Sequence, residues 1–225
     1  MSPVDLVLFD LDGTLADTVP DIAAALAATL DEVGVPAPPV SVVKELVGDG
    51  ARKLIERALA RASVDGDLDA LFARFLIHYR AHLCVGSRLY PGVGEAIDRL
   101  RRAGVTLAVL TNKPGGLARG LLDSLGLGGT FLAVIGEGDG FPRKPDPGAA
   151  RALIERAGTA AARTAVIGDG LPDVGTARAV GALAIAAGWG YVPPERLRIE
   201  SPDLLAMTLA EAVAFVLDAN RPASG

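Results

Sequence analysis

The sequence predicts an α/β fold: a parallel sheet with helices on both faces, and a helical subdomain inserted after the first strand. Three observations lead there. Short apolar runs at residues 4–9, 105–110, 131–135, 164–167 and 182–186 have the length of buried strands. Helical periodicity fills the spaces between the later runs, at 93–103, 117–125, 149–157 and 173–180. The first gap, from about 17 to 88, carries helical patterns and no convincing strand.

The elements follow in order. The run at 4–9 is close to continuously apolar, as expected of a strand covered on both faces. The long gap holds helical patterns at 21–33, 42–46, 51–62 and 68–82, with a stiff loop at Pro36-Ala37-Pro38-Pro39. It is too long for an ordinary crossover, so residues 17–88 are expected to form a separate helical unit. Residues 1–16 and 89–225 are expected to form the α/β core. Pro20 and the turn Tyr90-Pro91-Gly92 mark the expected hinges. Several core helices stop before Gly104, Gly126, Gly158 and Gly181, the residue favoured just past a helix C-terminus. Residues beyond Asn220 are expected to fray.

Composition narrows the function classes. Half the residues are hydrophobic and 4% are aromatic, so Ala, Val, Leu and Ile must build the core. The single cysteine, Cys84, excludes an intrachain disulfide and argues against a thiolate metal cluster. The net charge is −5 and the basic residues are scattered, which leaves no nucleic-acid footprint. No apolar run reaches the ~18 residues of a membrane span, and residues 1–5 lack a signal-peptide pattern. The expectation is a cytoplasmic monomer or small homo-oligomer, with neither nucleic acid nor membrane as partner. Of 22 basic residues only Lys44, Lys53, Lys113 and Lys144 are lysine, so each retained lysine is informative.

Polar residues gather where the predicted strands end. Asp10 and Asp12 follow the first strand and project from one side of an extended chain. Carboxylates this close repel, and a divalent cation relieves the repulsion; hard oxygen ligands suit Mg²⁺. Gly13 allows a sharp turn and could offer an amide to an anion. Thr111 and Asn112 end the second core strand and could hold phosphate oxygens, with Lys113 between the site and solvent. Lys144 stands in the proline-stiffened loop Arg143-Lys144-Pro145-Asp146-Pro147. Asp169 and Asp173 follow the strand at 164–167, although Asp173 could equally cap a helix. Four strand ends or loops thus meet at one sheet edge, where open α/β sheets bind ligands. The chemistry they fit is phosphoryl transfer from a small phosphorylated metabolite.

These motifs resemble the haloacid dehalogenase superfamily, whose signature is Asp-x-Asp-Gly-Thr after the first strand, and the match extends over nearly the whole chain. The resemblance implies a Rossmann-like core with a helical cap. It makes Asp10 the nucleophile and a metal ligand. It makes Asp12 the general acid and then base, its backbone carbonyl joining the metal shell. Lys144, Thr111, Asn112 and Gly13 would hold the phosphoryl group. Asp169 would bind Mg²⁺ and Asp173 would support the site. Arg52, with Lys53, lies in the cap stretch that reaches over the site in this family and is a candidate for a substrate anion. The family often has serine where this chain has Gly170. The phrases Asp17-Thr18-Val19-Pro20-Asp21, Gly48-Asp49-Gly50, Thr111-Asn112-Lys113-Pro114 and Gly188-Trp189-Gly190-Tyr191 resemble the phosphoglycolate phosphatase branch. That branch implies 2-phosphoglycolate as substrate. A sugar phosphate, N-acetylmuramate 6-phosphate, pyrophosphate, a phosphosugar mutase and a silent phosphate-binding protein stay open as alternatives.

Overall fold

The computed structural model describes residues 3–220. The chain opens with β1 (Leu6–Phe9) and a two-residue β2 (Ala16–Asp17). Four helices follow: α1 (Val19–Asp31), α2 (Val40–Leu46), α3 (Ala51–Ala62) and α4 (Leu68–Ala81). Then come β3 (Arg88–Leu89), α5 (Val93–Arg102), β4 (Thr106–Pro114), α6 (Gly115–Ser124), β5 (Val134–Glu137) and α7 (Gly148–Arg156). The last part is β6 (Thr164–Gly168), α8 (Leu171–Val180), β7 (Leu183–Ala187), α9 (Pro194–Ile199), β8 (Leu204–Ala206) and α10 (Leu209–Ala219).

Six strands form one parallel sheet in the order β5-β4-β1-β6-β7-β8. From β1 the chain builds outward through β4 and β5, then returns to fill the other side with β6, β7 and β8. Connections leave in opposite directions beside β1, which opens a crevice at the C-terminal ends of the three central strands. All four residues of β1 are fully buried because both faces are covered. Leu6 and Leu8 pack with α7, α8 and α9, whereas Val7 and Phe9 pack with α5, α6 and α10. The helices α1–α4 share an apolar cluster of their own, built on Leu26, Leu30, Ile55 and Phe75.

The gap at 17–88 is not strand-free at its ends. Ala16 pairs with Leu89 and Asp17 with Arg88, so a short antiparallel ribbon joins the helical layer to the sheet. Two-residue strands 70 positions apart carry no alternation to read. The sequence reading also assigns no element after residue 186, where the structure has α9, β8 and α10. The last of these had a legible start: Thr208 accepts the Glu211 N–H (3.2 Å), and Glu211 accepts the Met207 N–H (2.6 Å). The expected fraying beyond Asn220 lies outside the described residues. No helix among the described residues is long and apolar enough to cross a membrane.

Asp21 ties the two crossings together. It is buried in the first turn of α1 and accepts the N–H groups of Val85 (3.0 Å), Gly86 (2.7 Å) and Ser87 (2.8 Å) and the Ser87 hydroxyl (2.6 Å). Burial alone would raise its carboxyl; the Ser87 hydroxyl and the three backbone donors outweigh that and hold it below the usual range. A depressed carboxyl contributes stability above its unfolded pKa and loses it as pH falls through the lowered value. Asp21→Ala strands several buried donors, and urea unfolding at neutral pH is expected to report a loss of about 2–4 kcal/mol. The loss should shrink in acid, where the native carboxylate is itself protonated.

Candidate active site

Asp10 follows β1 directly, and its backbone N–H still bonds Ile167 of β6 (2.9 Å). The chain then turns tightly at Gly13, at φ +84°, where an added Cβ would land on the Asp169 carboxylate. The turn uses the Gly13 N–H for itself, donating it to Ala16 (2.9 Å), so this amide is not left free for an anion as the sequence reading expected. From β6, Asp169 enters the same space. Its Oδ2 accepts the Tyr191 N–H (2.6 Å), and its Oδ1 accepts the Thr14 hydroxyl (3.3 Å). Asp173, in the first turn of α8, accepts the Gly170 N–H (2.9 Å) on Oδ2. A serine Cβ at position 170 would lie 3.2 Å from that oxygen, a crowding that glycine avoids.

Lys144 stands between these acids. Its Nζ lies 2.9 Å from Asp10 Oδ1 and 2.6 Å from Asp173 Oδ1. The approach to Asp173 is a hydrogen bond; that to Asp10 is close enough for ionic attraction but poorly directed, so Asp10 Oδ1 is buried without a hydrogen-bond donor. Burial by itself would lower the Lys144 ammonium, but the Asp10 and Asp173 carboxylates hold it above the ordinary lysine range. Asp10 is pushed up to about 6, chiefly by burial, against the pull of Lys144. Burial, and then the Asp10 charge, raise Asp169 as well.

Asp10, Asp169 and Asp173 offer carboxylate oxygens within 4.8 Å of one another. Such a set fits a hard divalent cation. Asp173 has both oxygens engaged, one by Lys144 and one by Gly170, and Asp169 has both engaged by Tyr191 and Thr14, whereas Asp10 Oδ1 faces the Lys144 ammonium without a directed hydrogen bond. Asp173 thereby steadies Lys144. The Asp12 carboxylate is not in this cluster. It accepts the Thr18 hydroxyl (2.7 Å) and the Lys113 ammonium (2.9 and 3.2 Å).

A cleft runs from Asp10 and Asp12 to the helical layer. The sheet contributes Thr111, Asn112, Lys113 and Pro114; the helices contribute Ile22, Leu54, Phe75 and Tyr79, with Val47, Gly48, Gly50 and Ala51 between α2 and the head of α3. Asn112 is not free to grip a ligand. Its Oδ1 accepts the Lys144 N–H (2.8 Å) and its Nδ2 donates to Gly48 (3.1 Å) and Lys144 (3.4 Å), so it fixes the lysine loop. Arg143 adds a second tie, donating to the Asp49 carbonyl (2.7 Å).

Arg52 departs from the sequence reading. It is held by Asp69 and stacks over Phe72, outside the cleft lining, and Lys53 pairs with Glu56 (2.8 Å). The helical period explains this: α3 turns Ala51 and Leu54 to the cleft, which rotates 52 and 53 away. Lys113 is instead 4% exposed and donates to Tyr79 (2.5 Å) as well as to Asp12. Its survival in an arginine-rich chain was the available signal. Tyr79 had no local signal, since a contact across a long sequence separation brings it in, whereas Thr18 and Tyr191 stood in phrases that the family resemblance picks out but that give them no role by themselves. Tyr191 accepts the Thr18 N–H (2.7 Å) and donates to Asp17 (3.0 Å), clasping the ribbon to the site.

Acids on two neighbouring parallel strand ends, a lysine between them and a helical layer above define a class. The family described as haloacid dehalogenase-like hydrolase matches residues 4–181. The chain belongs to that family. Among its relatives, a phosphoglycolate phosphatase of Agrobacterium fabrum is 40% identical over 204 residues, covering 89% of this chain and 87% of its own. Another, of Neisseria meningitidis, is 40% identical over 193 residues, covering 84% and 82%. The crystal structure of a predicted phosphoglycolate phosphatase from Haemophilus somnus superposes with a TM-score of 0.87 at 27% identity, over 96% of this chain and 99% of that one.

Proposed function

We propose that this protein is a Mg²⁺-dependent phosphatase that hydrolyses 2-phosphoglycolate through an aspartyl-phosphate on Asp10. The observation that carries the reading is the buried Asp10–Lys144–Asp173 array with Asp169 beside it and one Asp10 oxygen lacking a donor. The named relatives support the choice of ester.

In this reading Asp10 attacks phosphorus, and the ester P–O bond breaks with its electron pair going to the leaving oxygen. Asp12 gives that oxygen a proton. Water then attacks the phosphorus of the aspartyl-phosphate, Asp12 takes the water's proton, and the Asp10–phosphorus bond breaks to release phosphate. The Lys144 ammonium, on its short tether to Asp173, balances charge on the phosphoryl oxygens, and the Thr111 hydroxyl faces the same cleft. Mg²⁺ on Asp10 and Asp169 would supply further neutralisation of those oxygens. Residues 17–88 act as a cap that excludes bulk water from the intermediate.

The test is phosphate release from a panel of 2-phosphoglycolate, sugar phosphates, N-acetylmuramate 6-phosphate, nucleoside monophosphates and pyrophosphate. Release is expected to require Mg²⁺, to vanish with a chelator, and to show the highest kcat/KM for 2-phosphoglycolate. Preference for another ester would reject the substrate and keep the reaction class. Independently of turnover, Mg²⁺ is expected to raise the melting temperature, and Asp169→Asn to abolish most of that shift.

A further inference from the structure

Lys113 and Tyr79 form a polar pair where the apolar helical wall of the cleft meets its polar sheet edge. Lys113 leaves the end of β4 almost wholly buried, with its ammonium 2.9 Å from Asp12 Oδ1 and 4.5 Å from the centroid of the Tyr79 ring. The Tyr79 hydroxyl oxygen accepts from Lys113, which leaves the phenolic O–H to donate. Among the described residues nothing accepts it, although Tyr79 is 2% exposed and lines the cleft. A buried donor without an acceptor is costly unless a ligand takes it. Burial keeps that phenol protonated, with Asp12 acting in the same direction. The walls beside it are Ile22, Val47, Leu54 and Phe75, and the head of α3 at Gly50 faces the same cleft with no side-chain cap.

We infer that the Lys113 ammonium and the Tyr79 hydroxyl receive a second anionic group of the substrate, a carboxylate on the carbon that bears the ester oxygen. The position follows from Asp12. If Asp12 protonates the leaving oxygen, a group reaching an ammonium 2.9 Å from that carboxylate stands only a bond or two from the ester. The site then selects short phosphorylated hydroxy acids over neutral esters of the same length. This rests on the role of Asp12 in the proposed function. It locates the selectivity on the sheet edge and α4 rather than on Arg52.

The test compares kcat/KM for 2-phosphoglycolate and 2-phospholactate with that for ethyl phosphate and 2-hydroxyethyl phosphate, using the full chain with Mg²⁺. The wild type is expected to favour the acids by roughly 100-fold or more. Lys113→Met should collapse that ratio, and Tyr79→Phe should lower it about tenfold, mainly through KM for the acids. If Lys113 only orients Asp12, kcat falls alike for acids and neutral esters and the ratio stands, which overturns the inference. A wild type without preference for acids overturns it too, while leaving the phosphatase in place. A preference for 2-phospholactate over 2-phosphoglycolate rejects the proposed substrate and keeps the inference. Should Lys113→Met fail to fold, the near-isosteric Tyr79→Phe decides by the same ratio.

Discussion

Asp10→Asn is expected to lower phosphate release by at least about 10⁴-fold, because it replaces the attacking carboxylate with an amide that cannot form the phosphoenzyme. Geometry makes this a clean substitution. The amide has nearly the same shape, Lys144 keeps its 2.6 Å hydrogen bond to Asp173, and one of several mutually repelling buried carboxylates is neutralised. The variant should therefore melt no lower than the wild type while losing turnover. Equal loss of stability and activity would instead indicate that Asp10 holds the fold. Initial rates beside thermal melting separate the two.

Lys144→Met should damage both properties. The wild-type ammonium lies 2.9 Å from Asp10 and 2.6 Å from Asp173, with Asp169 in the same cluster. Deleting it leaves the carboxylates buried without their cation, a change expected to cost about 3–5 kcal/mol in denaturant unfolding at neutral pH. Mg²⁺ should recover part of that cost, since it returns positive charge to the same oxygens. Activity at saturating Mg²⁺ is still expected to fall on the order of 10³-fold, because a divalent cation held as proposed by Asp10 and Asp169 would not replace an ammonium on the Asp173 side. Stability within 1 kcal/mol of wild type, as an order of magnitude for a surface change, would contradict the central place given to Lys144.

The parallel sheet was legible because buried strands, periodic helices and glycine stops agree with one another. Asp10, Asp169 and Lys144 were legible because each directly follows a strand or stands in a proline-stiffened loop, and Asp173 because it lies four residues beyond Asp169. The ribbon of Ala16–Asp17 with Arg88–Leu89 was not, since pairing across 70 residues leaves no local pattern. Arg52 misled because charge and neighbourhood do not give the helical phase; Asp69 and Phe72 draw it off the cleft. Gly13 and Asn112 lie beside the acidic cluster, and their amides are consumed in holding the turn and the lysine loop. Lys113 and Tyr79 meet only when α4 folds over β4, so their partnership is a tertiary fact.

In the proposed reaction Asp10 carries the phosphoryl group during turnover. Acid quenching of the protein during hydrolysis of 2-phosphoglycolate with Mg²⁺, followed by peptide mass spectrometry, tests it most directly. A phosphoryl adduct is expected on the peptide containing Asp10, confined to that residue and lost once substrate is exhausted. Turnover with the adduct on another residue, or with no adduct under conditions that slow the water step, would contradict it.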